Sequence, residues 1–139
     1  MSTLIEEFKK EHSEIIEAFK EVKELDVLTK EGHSKLMYLL SDLLKHLWHE
    51  DEQLYPVLRK ASEHNKKLKE ILSSFINGLG VIHEEVLQFM TKYYKGDLSS
   101  NFHKEYERLF DDLSKRIGYE ENILFGKYEE LNKNNLLFS

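Results

Sequence analysis

Apolar residues recur at three- and four-residue steps in four separate stretches of the chain, the spacing that lines one face of a helix. The first reads Leu4, Phe8, Ile15, Phe19 and Val22, with Thr3 and Glu6 forming a capping box at its start, and predicts a helix over about residues 4 to 25. The polar stretch from Thr29 to Gly32 turns the chain. A second stripe of Leu36, Leu39, Leu43, Leu47 and Leu54 then runs until Pro56 disturbs the ladder near its end. Residues 60 to 70 are polar and fit a loop, a short helix or an early extension of the next helix. The third stripe is Leu72, Phe75, Ile76, Leu79, Val86, Met90 and Tyr93, weakened in its first half by Gly78 and Gly80 and stopped by Gly96. The fourth, capped by Ser99 or Ser100, reads Tyr106, Leu109, Leu113, Ile117, Leu124, Tyr128 and Leu131. Short connections make neighbours antiparallel, so the pattern predicts an all-α, up-down four-helix bundle forming one domain over residues 1–139. The last residues, LNKNNLLFS, end in apolar side chains that fold back over the bundle end or meet another chain, packing being the commoner outcome.

Every stripe is interrupted by a group that water would normally hold. His12 lies in the first, His46 with Glu50 in the second, His83 in the third, and Glu120 with Arg116 one turn earlier in the fourth. Burying an imidazole or a carboxylate is costly unless hydrogen bonds, ion pairs or a metal meet it. At ~1.5 Å of rise per residue, His12, Glu50 and Glu120 fall ~12 to 15 Å from the same end of the bundle and can share a layer. His83 joins them if the main part of the third helix starts near residue 73. The other His-x-x-x-Glu pair, His103 and Glu107, is ~25 Å from Glu120 along one helix and belongs to a solvated face. His33 and His64 lie near helix ends and take the same reading, while His49 can flank the site.

Composition narrows the chemistry. Forty per cent hydrophobic and 33% charged residues, six glycines and one proline suit long helices. A formal net charge of −6, with both signs interspersed, leaves no basic face for nucleic acid. With no cysteine, a metal must be held by His, Asp, Glu or Tyr, which suits iron, manganese or zinc. The N-terminus lacks a charged-then-apolar leader and no apolar run approaches ~18 residues, so the expectation is a cytoplasmic protein without membrane contact.

Paired carboxylates can bridge two cations while neutral imidazoles complete each coordination sphere, which makes His12, His46, Glu50, His83 and Glu120 candidate metal ligands. The competing reading is a polar core in which Arg116 pairs with Glu120 or Glu50. Other metal bundles fit poorly. The chain contains no Glu-x-x-His of the ferritin type, no His-Glu-x-x-His, and no Gly-x-Ser-x-Gly elbow.

Over nearly its whole length the chain resembles hemerythrin-like proteins of the HHE cation-binding type. The residues that carry this are His12 in EHSEII, the segment HLWHEDEQLYP, His83 in GVIHEE, and RIGYEENILFG near the end. Arg116 stands where the family has its last histidine and Gly126 where it has a proline, while Glu120 keeps the carboxylate. The resemblance implies a non-haem di-iron centre held by His12, His46, Glu50, His83 and Glu120. It also implies a role in binding or sensing oxygen or another small diatomic, handling iron, or nitric-oxide-related repair. Because Arg116 cannot ligate, three outcomes stay open: two irons with water or Tyr119 filling the gap, a single metal, or a metal-free core closed by an Arg–Glu pair. The corresponding functional alternatives are the iron protein and a metal-poor bundle acting through its surface. A catalytic reading, in which iron reduces peroxide or activates oxygen, has no substrate pocket in the sequence to support it.

Overall fold

A computed structural model describes residues 2–79, 81–96 and 101–133, without the side chains at positions 78 and 79. The described residues contain helices and no strand. The first rod is α1 (Thr3–Glu24). The second is α2 (Lys30–Gln53) followed by α3 (Tyr55–Ser62), and the third is α4 (Lys66–Leu79) followed by α5 (Ile82–Tyr93). The fourth is α6 (Phe102–Tyr119), a π-helical turn (Glu120–Leu124) and α7 (Phe125–Lys133). Contacts of α1 with α2, α2 with α5, α5 with α6, and α6 with α1 close these rods into the expected four-helix bundle.

Local chemistry sets the ends. The cap of α1 is Ser2, whose Oγ accepts the Ile5 N–H at 3.3 Å, so the helix begins one residue before the Thr3 box would start it. The Ser2 hydroxyl also donates to Glu129 at 2.8 Å, tying the chain start to α7. Thr29 caps α2 by accepting the Gly32 N–H at 3.0 Å. A Cβ on Gly32 would stand 2.1 Å from the Asp26 carbonyl oxygen, so the turn between α1 and α2 closes only on glycine. Pro56 does not end the second rod. It lies in the first turn of α3, where a missing N–H is harmless, and α3 restarts one residue after α2. Gly96 has φ of 82° and its N–H donates to the Tyr93 carbonyl, stopping α5 as the sequence predicts. Ser99, Ser100 and the end of the tail lie outside the described residues.

The core is in two parts. One holds Ile15, Phe19, Leu36, Leu43, Val86, Leu109 and Leu113. The other holds Ile5, Phe8, Leu54, Leu58, Leu72, Phe75, Leu124 and Phe125. At about 1.5 to 3 kcal/mol for each large apolar side chain fully buried, these two clusters supply the main driving force for folding. Between them, in α1, α2 and the α6 rod, come His12, then His46 and Glu50, then Arg116 and Glu120. These five are the buried polar and charged residues among those described. The third rod passes this level where α4 gives way to α5. No described helix is long and apolar enough to cross a membrane.

Candidate metal centre

Three rods deliver four ligand atoms to one point. One nitrogen each from His12 and His46 and one oxygen each from Glu50 and Glu120 lie within 4.8 Å of one another, all buried. His12 Nε2 is 3.5 Å from Glu50 Oε2 and 3.2 Å from Glu120 Oε1, and His46 Nε2 is 3.3 Å from Glu50 Oε2. Atoms bound ~2.1 Å from a shared ion stand about 3.0 to 3.4 Å apart when they are neighbours around it. These three contacts lie close to that spacing.

The outer ring nitrogens explain the orientation. His12 Nδ1 donates to Glu121 Oε2 at 2.7 Å and His46 Nδ1 to Glu11 Oε1 at 2.6 Å. A carboxylate only accepts, so each Nδ1 carries a hydrogen and each Nε2 turns inward, the arrangement that fixes a metal-binding tautomer. Both Nε2 atoms and Glu50 Oε2 are fully buried, and at 3.2 to 3.5 Å the inward nitrogens face only the Glu50 and Glu120 carboxylates. Phe125 stacks on the His12 ring at 5.5 Å and Phe8 meets His46 edge-on at 5.8 Å, holding both rings in place.

The other carboxylate oxygens face a cation of the protein. Arg116 Nη2 donates to Glu50 Oε1 at 3.3 Å, and Arg116 Nε is 3.4 Å from Glu120 Oε2. The Tyr55 hydroxyl donates a short hydrogen bond to that same Glu120 oxygen. Burial and the surrounding carboxylates push the Tyr55 phenol up, so it remains a donor. Burial opposes charge on His12, but the facing Glu120 and Glu50 carboxylates outweigh it and raise the imidazole to about 10. His46 is raised for the same reason, burial being overcome by Glu50 and Glu11. Burial and the adjacent Glu50 carboxylate push Glu120 up to about 7, whereas His12, His46 and Arg116 overcome burial to hold Glu50 well below the usual range. A proton and a metal ion thus compete for the same inward-facing atoms.

Of the five ligands expected from the sequence, the structure brings together His12, His46, Glu50 and Glu120. His83 stands apart, half-buried in the first turn of α5 between buried Ile82 and Val86, and is not in the converging group. The expectation required the main part of the third helix to start near residue 73; α5 buries Ile82, Val86, Phe89 and Tyr93, and His83 lies one position off that stripe. His49 flanks the site, its Nδ1 3.4 Å from Glu11 Oε2. The Tyr119 hydroxyl donates to the Ile71 carbonyl at 3.2 Å, and Tyr119 packs beside Phe75, so it serves the core. His103 is exposed, and Glu107 pairs with Lys23 on the surface. Sequence reasoning missed Glu11, Glu121 and Tyr55. For Glu11 and Glu121 the one available signal was an acid directly beside a stripe ligand, at Glu11–His12 and Glu120–Glu121.

The family model for the hemerythrin HHE cation-binding domain matches residues 3–128. Neither curated proteins nor solved structures give a significant match. With the family pattern running through all four rods and a buried His/Glu cluster inside them, the chain belongs to the hemerythrin HHE cation-binding family.

Proposed function

We propose that this is a non-haem iron protein that binds or senses oxygen or another small diatomic through its buried centre. The observation that carries the cation site is the pair of inward Nε2 atoms on His12 and His46, each oriented by its own outer carboxylate and both converging with an oxygen of Glu50 and of Glu120. Iron suits a donor set of two imidazoles and two carboxylates, and supplies an open coordination position for a small ligand. The protein's part is to hold the ligands in order and keep bulk water out of a layer enclosed by Phe8, Phe125 and Phe75. A surface cavity of about 440 Å³, lined by Glu11, Ile15, Leu39, His46, Trp48 and His49, reaches His46 from outside. It gives small solutes a route to the layer.

The test is anaerobic reconstitution with ferrous ion, elemental analysis, then spectra before and after oxygen or nitric oxide. Bound iron with ligand-dependent charge-transfer bands supports the reading. Iron retained without any response would reduce it to cation binding, and no iron would remove it. A second reading, the metal-poor bundle, is favoured by one observation: Arg116 already faces both carboxylates. In that reading protons on the two inward nitrogens, paired with Glu50 and Glu120, take the place of the metal.

A further inference from the structure

We infer that Arg116 is a built-in second cation, so that the centre takes one divalent metal ion per chain rather than two; this rests on the cation-binding reading of the site. The two carboxylates are used from both sides. Glu50 Oε2 and Glu120 Oε1 face the imidazole nitrogens, while Glu50 Oε1 and Glu120 Oε2 face the guanidinium. A carboxylate pair bridging two cations has this geometry, with one cation covalently part of the protein.

The surroundings of Arg116 support a permanent occupant. Its Cζ lies 5.2 Å from the Phe75 ring centre and 5.7 Å from that of Tyr55, so two aromatic faces cover the charge that the carboxylates do not. Phe75 comes from the third rod, which adds no buried histidine or acid at this level among the described residues. A second ion on this side would meet a guanidinium, a protonated phenol and a phenyl ring. The charges agree with the geometry. Two carboxylates and one guanidinium leave a net −1, which a single divalent ion turns to +1, whereas a second would bring +3 into a buried layer. The same repulsion disfavours trivalent ions, so the site is selective for the divalent state.

Titration of the metal-free protein with cobalt(II), followed by elemental analysis and electron paramagnetic resonance, tests this without relying on any activity. One equivalent per chain with the signal of an isolated high-spin ion is expected. Two equivalents, or a signal reduced by coupling between ions, would overturn the inference while leaving the cation site standing. No binding of cobalt(II), zinc(II) or iron(II) would overturn both. The double variant Arg116→His with Phe75→His should rise from one equivalent to two. One equivalent in the folded variant would mean that the guanidinium does not set the count, and would also overturn it. If the variant does not fold, the wild-type stoichiometry decides.

Discussion

At the scale of the residue, the centre depends on groups that never reach its middle. Glu121 and Glu11 fix the tautomers of His12 and His46 through bonds of 2.7 and 2.6 Å, and both are only partly buried. Outer partners of this kind typically alter metal affinity 10–100-fold. Glu121→Gln and Glu11→Gln should each therefore weaken cobalt(II) or iron(II) binding by about that factor in a chelator competition. Their thermal stability should fall by less than about 1 kcal/mol, since neither removes core volume. A loss of stability as large as the loss of affinity would mean that the carboxylates act on folding instead. The inward ligands were legible in the sequence because each broke an apolar stripe, as the histidine at position 12 does between Phe8 and Ile15. The outer partners were not legible. Glu11 and Glu121 lie off the stripe, and on a surface helix an acid at such a place ordinarily faces water.

At the scale of the element, the π-helical turn Glu120–Leu124 decides which side chains enter the layer. Glu120, Leu124 and Phe125 are all buried here, and Phe125 stacks on His12. The residue that the wider turn accommodates keeps Glu120 inward while Glu121 reaches His12 from the side. Deleting Asn122, an exposed residue of this turn, should close the wide turn to an ordinary α-turn and shift Glu120 and Glu121 relative to His12. The expected result is weaker cobalt(II) or iron(II) binding in a chelator competition, with the bundle still folded by denaturant unfolding. Retention of wild-type affinity would show that the extra residue is incidental. Between α5 and α6, Glu85 lies beside Asp112, and burial together with that like charge lifts its carboxyl to about 7. The folded pKa is above the unfolded value, so its contribution is full below about 4.5 and disappears as pH rises through 7. Glu85→Gln should therefore gain stability relative to wild type at pH 8 and not at pH 4, by less than about 1 kcal/mol because the group is largely solvated. Helix existence and order were legible from the four stripes. The α4–α5 join was not, because Ile82 and Val86 continue the spacing of Leu72 and Phe75 across it. His83 stands next to that stripe in the sequence, and in the structure it is half-buried and outside the converging group.

At the scale of the whole molecule, a layer of charge divides the bundle, and its protonation ties stability to metal. The stripes set out the two apolar clusters and the depth at which they part, whereas the sharing of Glu50 and Glu120 between imidazoles and a guanidinium depends on rotamers that spacing does not encode. In the metal-free protein His12 is raised to about 10 and Glu120 to about 7, both above their unfolded values. Each then stabilises the fold fully below its unfolded pKa, near 6.5 and 4.5, and that contribution is lost as pH rises through the folded value. The metal-free bundle should accordingly lose stability from about pH 5 upward, first with Glu120 and then with His12. A bound divalent ion replaces the proton on the same atoms, so loading releases protons and apparent affinity grows by up to about tenfold per pH unit for each proton displaced. At an ion concentration 100 times Kd, the loaded protein gains about 2.7 kcal/mol, and at fixed total ion this increment increases with pH as Kd falls. The difference in Tm between loaded and metal-free protein should therefore widen from pH 6 to pH 9, with proton release on loading detectable in weakly buffered solution. A difference that stays flat or narrows over that range would mean that no proton is held where the ion binds, and that the imidazoles of His12 and His46 do not face the cation.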